Sequence, residues 1–483
     1  MNKNIISLTL VVILNVLSAY SQIKIAAHPL KLGKPAYTRQ LFHAVNSESN
    51  EVFVFAADND HVNILRLNAG LFITGEYQLS RPERNLFMAG YDFTPGGLPV
   101  IYWANTDFED ITAIQYDVTN QKQRALPGVE GTAGDRNLGT FSTANAFYIL
   151  SFDDKSDNNL ILRKYDDGKY SSHTLNFSDA GLKKENGSAG KIATILERYP
   201  LEFIDNREWQ PLYRVAAPVK LFVDRDRYAI LSFDHYDTET LLIQIDLNTF
   251  EISSRTYPVA AEKNAHTNSY LASGKLYQIA SAKHDLKVQI CDRLNGDIIT
   301  TYSGTGSEPI SLASTPLFSQ TGTREAKQLK SSKKFLNRLY NTSPGISVYP
   351  MSDYNFLTVG GVRSANNAGQ VAVGVSLGVG VILSGGSADI NFGNVFGEPE
   401  TLQNIFFEAM LDRDLKTALT DQIPLYIDHL STFMANNPQI TLSDSFPYTD
   451  YFLLGYFDSK TDEYVLRKFE NGFYEPFIAE DRH

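Results

Sequence analysis

The chain has 483 residues and a formal net charge of -12. That length can bury a core without covalent help, and Cys291 is the single cysteine, so no intramolecular disulfide supports the fold. The acidic balance repels phosphate backbones and argues against nucleic acid as the main partner.

The first 21 residues read as a secretory signal. Lys3 gives a short positive start, Ile5 to Leu17 is apolar except for Ser7, Thr9 and Asn15, and Ala19-Tyr20-Ser21 offers a small-x-small cleavage pattern. The run falls short of the ~20 residues of a membrane span. Cleavage before Gln22 and export are therefore expected, with the periplasm, the outer membrane or the exterior as destination. No later stretch predicts a span. Val371 to Leu383 is the most apolar, but it is short and carries Gly374, Ser376, Gly378 and Gly380.

Beyond Gln22 one unit recurs: an apolar strand, a polar loop usually carrying Asp, a second strand, a tight turn and a third strand. The first copy runs Val52–Ala57, Asp58-Asn59-Asp60, Val62–Leu67, a turn at Asn68-Ala69-Gly70, then Leu71–Leu79. Further copies begin at Val100, Phe147, Tyr228, Leu276 and Tyr451, the last reading Tyr451–Phe457, Tyr464–Phe469 and Phe473–Ile478. Asp167-Gly168, Asn295-Gly296 and Asn471-Gly472 fill tight turns, where positive φ is needed. Neighbouring copies lie 48, 47 and 48 residues apart, and a four-stranded propeller blade takes ~40–50. The gaps of 81 before Tyr228 and 175 before Tyr451 hold extra material, the second with a further start at Tyr354. A fourth strand precedes each start, as Tyr37–Val45 does before Val52 and Val219–Val223 before Tyr228.

This period and turn chemistry resemble those of β-propellers in general, over nearly the whole mature chain. The resemblance implies an all-β fold of about seven blades and carries no family activity. Neither the Gly-His…Trp-Asp signature of WD40 repeats nor the Ser-x-Asp-x-Gly-x-Thr-Trp box of sialidases is present. Two tandem β-sandwiches are the rival, but they would not readily space their strands so evenly. A single domain, 22–483, then carries insertions at 178–214, 304–340 and 385–450. With strands A to D running outward from the axis, the D–A and B–C connections share one face and the A–B and C–D turns the other. All three insertions are expected on the first, which is the predicted binding face.

The first insertion predicts a short helix near Lys191–Tyr199, followed by Arg207, Trp209 and Tyr213. The second ends in a basic tract with Arg324, Lys327, Lys330, Lys333, Lys334 and Arg338 against Glu325. In the third, Leu402, Ile405, Phe406, Ala409 and Met410 keep helical spacing, as do Leu430, Phe433 and Met434. A helical hairpin over about 399–436 is expected there. Trp209, Arg207, Tyr213, Lys330, Lys334, Phe406, Met410 and Phe433 form the predicted partner-binding set.

Asp153, Asp154 and Asp157, Asp234 and Asp237, and Asp458 and Asp462 sit in B–C loops. Carboxylates so grouped can bind Ca²⁺ or work as acid and base on a glycoside. Turn chemistry accounts for them more simply, and none has EF-hand spacing. No metal is predicted, with Asp154, Asp157, Asp234 and Asp237 as the weak candidates. His61, His235 and His284 fall in loops of the first, fourth and fifth blades. His61 and His235 lie too far apart across the ring for metal bonds of ~2 Å, only His235 and His284 can approach each other, and an ordinary surface role is expected for all three. Gly378-Val379-Gly380 lacks a third glycine and Gly190-Lys191 lacks the upstream one, so no nucleotide cofactor is expected. No His-Glu-x-x-His helix occurs.

The leading expectation is a non-catalytic protein-interaction module of the cell envelope, an accessory subunit of an outer-membrane transport or secretion complex. The alternatives are a polysaccharide hydrolase or lyase using the Asp loops, and a binder of Ca²⁺ or a small ligand. With two tryptophans, Trp103 and Trp209, the chain is poor in sugar-stacking side chains. An enzyme should bring acids and an Arg or Trp together over the axis, whereas a scaffold should carry an apolar patch on its insertions.

Overall fold

A computed structural model describes residues 23–132, 134–224, 227–322, 324–364, 402–418 and 423–472. These residues form seven sheets of four or five strands. Blade one shows the pattern: Gln40–Val45, Val52–Ala57, His61–Leu67 and Ile73–Ser80, paired in chain order from the axis outward. Val52–Ala57 is apolar and buried at every position because neighbouring blades cover both its faces. Ile73–Ser80, on the rim, alternates between exposed and covered residues.

Each core cluster lies between adjacent blades. Phe42, Phe55 and Ile64 of blade one meet Met88 and Trp103 of blade two. Tyr102 of blade two meets Phe147 and Tyr165 of blade three. Blades three and four share another cluster, and blades four, five and six a third. Blades six and seven pack through Phe356, Leu454 and Phe469, and blade seven returns to blade one through Leu453, Leu466, Val54 and Leu65. Consecutive packing that ends where it began is a ring, so the protein is a seven-bladed β-propeller. The start expected at Tyr354 is the second strand of blade six.

The ring closes with chain from its own beginning. Ile23–Pro29 pairs with Glu463–Phe469 as the outer strand of blade seven, in register from Ile23↔Lys468 to Pro29↔Glu463. Sequence spacing puts Phe473–Ile478 in that place; these residues, like the expected signal at 1–21 and the glycine-rich 371–383 stretch, lie outside the described residues.

The expected helical hairpin is half right. Helices α1 (Ile192–Arg198), α2 (Leu212–Val215), α3 (Ser332–Leu339) and α4 (Tyr426–Asn436) are present. Leu402–Asp412, however, is a strand, the third of blade six. Its apolar residues fit both periods, and the period of two decides: Ile405, Phe407, Ala409 and Leu411 are all fully buried on one side. The outer strand of blade six, Phe318–Thr321, comes from the second insertion and pairs with Leu402–Asp412. α4 is wedged between blades six and seven, where Leu430 and Phe433 join Met410, Tyr456 and Phe469.

The one-face expectation also needs correction. The second insertion does leave and re-enter on the D–A face. The chain toward α4 instead departs from Asp412, at the C–D end, and Gly472 N donates to Pro424 O beside the helix start. The first insertion leaves the D–A face but turns inward, into the axis. The Asp167-Gly168 turn behaves as expected: φ is 49° and 65°, and a Cβ on Gly168 would lie 2.1 Å from Leu126 Cδ1.

Candidate functional site

The axis is occupied by the chain itself. Glu202–Ile204 pairs in parallel with Val219–Asp224, the innermost regular strand of blade four, in the register Glu202↔Lys220 to Ile204↔Phe222. A fifth strand inside an innermost strand can lie only in the channel. Its parallel direction carries residues 205–210 toward the A–B end, and α2 returns the chain to Val219. There Asn206 Nδ2 donates to Leu271 O at 3.4 Å and Trp209 N to Tyr426 Oη at 3.2 Å.

The axial segment neutralises most of its own charge. Arg214 donates to Glu202 Oε1 at 2.5 Å, Phe203 O at 2.6 Å and Gln210 Oε1 at 3.2 Å. Arg207 grips both Asp205 oxygens, with Nη2 at 2.6 Å and Nε at 2.9 and 3.1 Å. Burial pushes the Asp205 carboxyl upward, but Arg207 outweighs it and holds Asp205 below the usual range. The Arg207 side chain remains 67% exposed, so the channel is open to water at this level.

Among the described residues Glu208 has no ion-pair contact, and Arg207 and Arg214 offset its burial only through space. Burial, and then the Asp205 carboxylate, push its pKa up to about 8, with Asp444 adding to the effect. The upward shift favours its protonated form, which can donate a hydrogen bond, next to an Asp205 held in its ionised form. Tyr349 and Tyr426 stand close enough to feel its charge. Acids, Arg207 and Trp209 thus converge over the axis, while among the described residues the large exposed hydrophobics (Ile23, Tyr37, Phe72, Leu294, Ile298 and Ile299) lie off the insertions.

The predicted binding set divides. Arg207, Trp209 and Tyr213 belong to the axial segment, Tyr213 packing on the core between blades four and six. Lys330 and Lys334 are exposed. Phe406 is half-buried against Phe318 in blade six, and Met410 and Phe433 are buried at 3% and 5% exposure. Met410 and Phe433 are thus packed in the core, not presented to a partner, because their segment is a strand and a wedged helix.

The loop acids also separate. Asp234 is buried, accepting from Lys220 Nζ at 3.0 Å, Thr240 Oγ1 at 2.7 Å and Ser269 Oγ at 2.9 Å. Lys220 Nζ completes its three bonds on Ala217 O and Asn268 Oδ1, which makes this a structural tie. Asp157 pairs with Lys191 at 2.8 Å, Asp154 is exposed, and Asp237 accepts from Thr267 N. Asp153 and Asp458 accept from backbone N–H groups two residues on, which is turn chemistry. His235 Nε2 bonds Lys183 O, while His61 and His284 are exposed. Among the described residues no group of three His, Cys, Asp or Glu is placed to hold a metal ion.

Sequence reasoning missed Glu202, Asp205, Glu208 and Arg214. No local signal marks them, because their axial place depends on the pairing of Glu202–Ile204 with Val219–Asp224.

No family model and no curated protein matches the chain. Among solved structures, it is similar to the Dos1 propeller at 12% identity, covering 95% of this chain and 97% of that one, TM-score 0.32. A DUF4221-family member from Bacteroides vulgatus is 13% identical over 81% of this chain and 94% of that one, TM-score 0.31. Prolyl oligopeptidase B from Galerina marginata is 9% identical over 91% of this chain, TM-score 0.35; the chain spans 50% of that protein's length. At such scores these likenesses carry no argument, and the propeller assignment rests on the ring of sheets.

Proposed function

We propose that the protein is an exported binding module of the cell envelope, and that it meets its partner at the axial mouth formed by Asp205, Arg207, Glu208 and Trp209. The observation that carries this reading is the two-thirds exposed Arg207, fixed by Asp205 at the mouth of the channel beside Glu208. A pre-oriented guanidinium, a hydrogen-bond donor and an indole at one opening suit recognition of a protein loop or chain end. An accessory role in a transport or secretion complex accords with this and with the expected signal. Among the described residues no helix is long and apolar enough to cross a membrane.

The test is photo-crosslinking in intact cells, with the reactive side chain placed at 207 or, as control, at the exposed Tyr37. Adducts to one envelope protein from 207 but not from 37 support the reading. Equal labelling from both positions, or none from 207, overturns it. Amino-terminal sequencing of the same material tests export: Gln22 is expected, and a retained Met1 in a cytoplasmic pool refutes it.

A second reading is favoured by the split of two neighbouring carboxyls, Glu208 raised and Asp205 lowered, the pattern of an acid beside a carboxylate. It makes the axial mouth a hydrolase or lyase site for envelope polysaccharide. Turnover by the wild type that is lost in Glu208→Gln would establish it over the first.

A further inference from the structure

Away from the axis, the second insertion builds a surface of opposite sign to the rest of the molecule. Between Arg324 and Lys334 the chain exposes Arg324, Lys327, Lys330, Lys333 and Lys334, with Glu325 as the acid among them. The fold holds these side chains out. Lys327–Gln328 is the outermost strand of blade six, Leu329 is buried and its N–H donates to Leu317 O, and α3 then climbs to the D–A face. Phe335, Leu336 and Leu339 fix the apolar side of α3 in the core, so Lys333 and Lys334 face outward. Ser331 caps the helix by accepting from Lys334 N. Lys333 also covers Gly306, whose Cβ would lie 3.3 Å from it.

We infer that this rim is a docking surface for a membrane whose headgroups carry anionic phosphate. Three observations select that occupant. The tract is lysine-rich, and ammonium groups on flexible stems suit a diffuse field of phosphates better than one shaped anion, for which arginine forks are preferred. Its exposed side chains from 324 to 334 include no aromatic or large apolar residue, so it offers neither stacking for a glycan nor an anchor for a protein hot spot. The whole chain is acidic, at -12, but fields are screened within ~8 Å in physiological salt, so the patch acts locally while the rest orients away. Docking through the D–A rim would leave the A–B end of the channel, with Arg207 and Trp209, free for a partner. The inference does not depend on the axial reading.

The experiment uses the full mature chain and sedimentation with vesicles of phosphatidylcholine alone or with 30% phosphatidylglycerol. Binding to the anionic vesicles at low salt, and its loss at ~0.5 M salt, are expected. Each lysine near such a surface contributes roughly fivefold, so K330A/K334A should weaken partition by about 25-fold and K330E/K334E by more. These side chains are exposed, so all variants should melt as the wild type does. Equal binding to both vesicle types, no binding at low salt, or charge-reversed variants that still bind would each overturn the inference. So would retention on soluble polyphosphate without vesicle binding, which would mark a site for free polyanions instead.

Discussion

His43 Nδ1, on the inner strand of blade one, lies 2.8 Å from Asp444 Oδ2 on the inner strand of blade seven, 401 residues later. His43 Nε2 is 2.9 Å from Tyr464 Oη, and the ring stacks on Phe446 at 4.5 Å. The imidazole is buried and bonded at both nitrogens, so it ties the first blade to the last beside the closing strand. Removing it strands a buried carboxylate and a buried phenol. His43→Ala should therefore cost about 3–5 kcal/mol, read as a lower midpoint in chemical denaturation, with His43→Gln recovering part of the loss. A change below about 1 kcal/mol would mean that strand pairing alone closes the ring.

Asp92 sets a pH dependence. It is fully buried on the inner strand of blade two, accepts from Tyr102 Oη at 2.9 Å and from Asp167 N, and burial pushes it up to about 7. Because the folded pKa is raised above the unfolded value, the acid's contribution is complete below about pH 4 and is lost as pH rises through 7. Glu208, raised to about 8, acts in the same direction. Stability should thus fall between about pH 4 and 8, by on the order of 4 kcal/mol at most from Asp92. Asp92→Asn should flatten that slope. An unchanged slope would show that Asp92 is ionised in the fold.

Phe433 tests the corrected place of α4. It contacts Tyr456 and Phe469 of blade seven, with ring centroids 5.8 Å away in each case, and Arg467 lies over its ring. Phe433→Ala should cost about 3–5 kcal/mol. Replacing the whole of 397–437 with a flexible linker should unfold the protein, because that segment includes the third strand of blade six. A cooperative melt after that replacement would make α4 an accessory after all.

Most of the ring was legible because each blade repeats local chemistry: apolar strands, an Asp turn, and a Gly turn such as Asp167-Gly168. What was not legible depends on contacts between distant residues. Leu402–Asp412 fits helical and strand periods alike until its neighbours Tyr354–Ser364 and Phe318–Thr321 are known to flank it. Nothing local marks Glu202–Ile204 as axial, since its partner strand begins at Val219. The same holds for His43, whose purpose is set by Asp444.

The closing strand gives the last prediction. Ile23–Pro29 adds a strand to blade seven, and just after it Leu30 and Leu32 are buried, with Leu30 N donating to Asp462 O and Gly33 N to Asp58 Oδ2 at 2.8 Å. The strand itself is only half covered, so its own burial contributes modestly. Its larger effect is on cooperativity: without it, Glu463–Phe469 becomes an unpaired edge, and the junction with blade one loses Ile25 and Ala26 from its packing. Deleting residues 23–29 from the mature chain should lower the melting midpoint and split one transition into two, blades seven and one opening first. Hydrogen exchange should show faster amides in Glu463–Phe469 while those of Phe147–Phe152 in blade three stay protected. A single transition with uniform exchange would mean that the inner strands, held by His43 and Asp444, close the ring without the added strand.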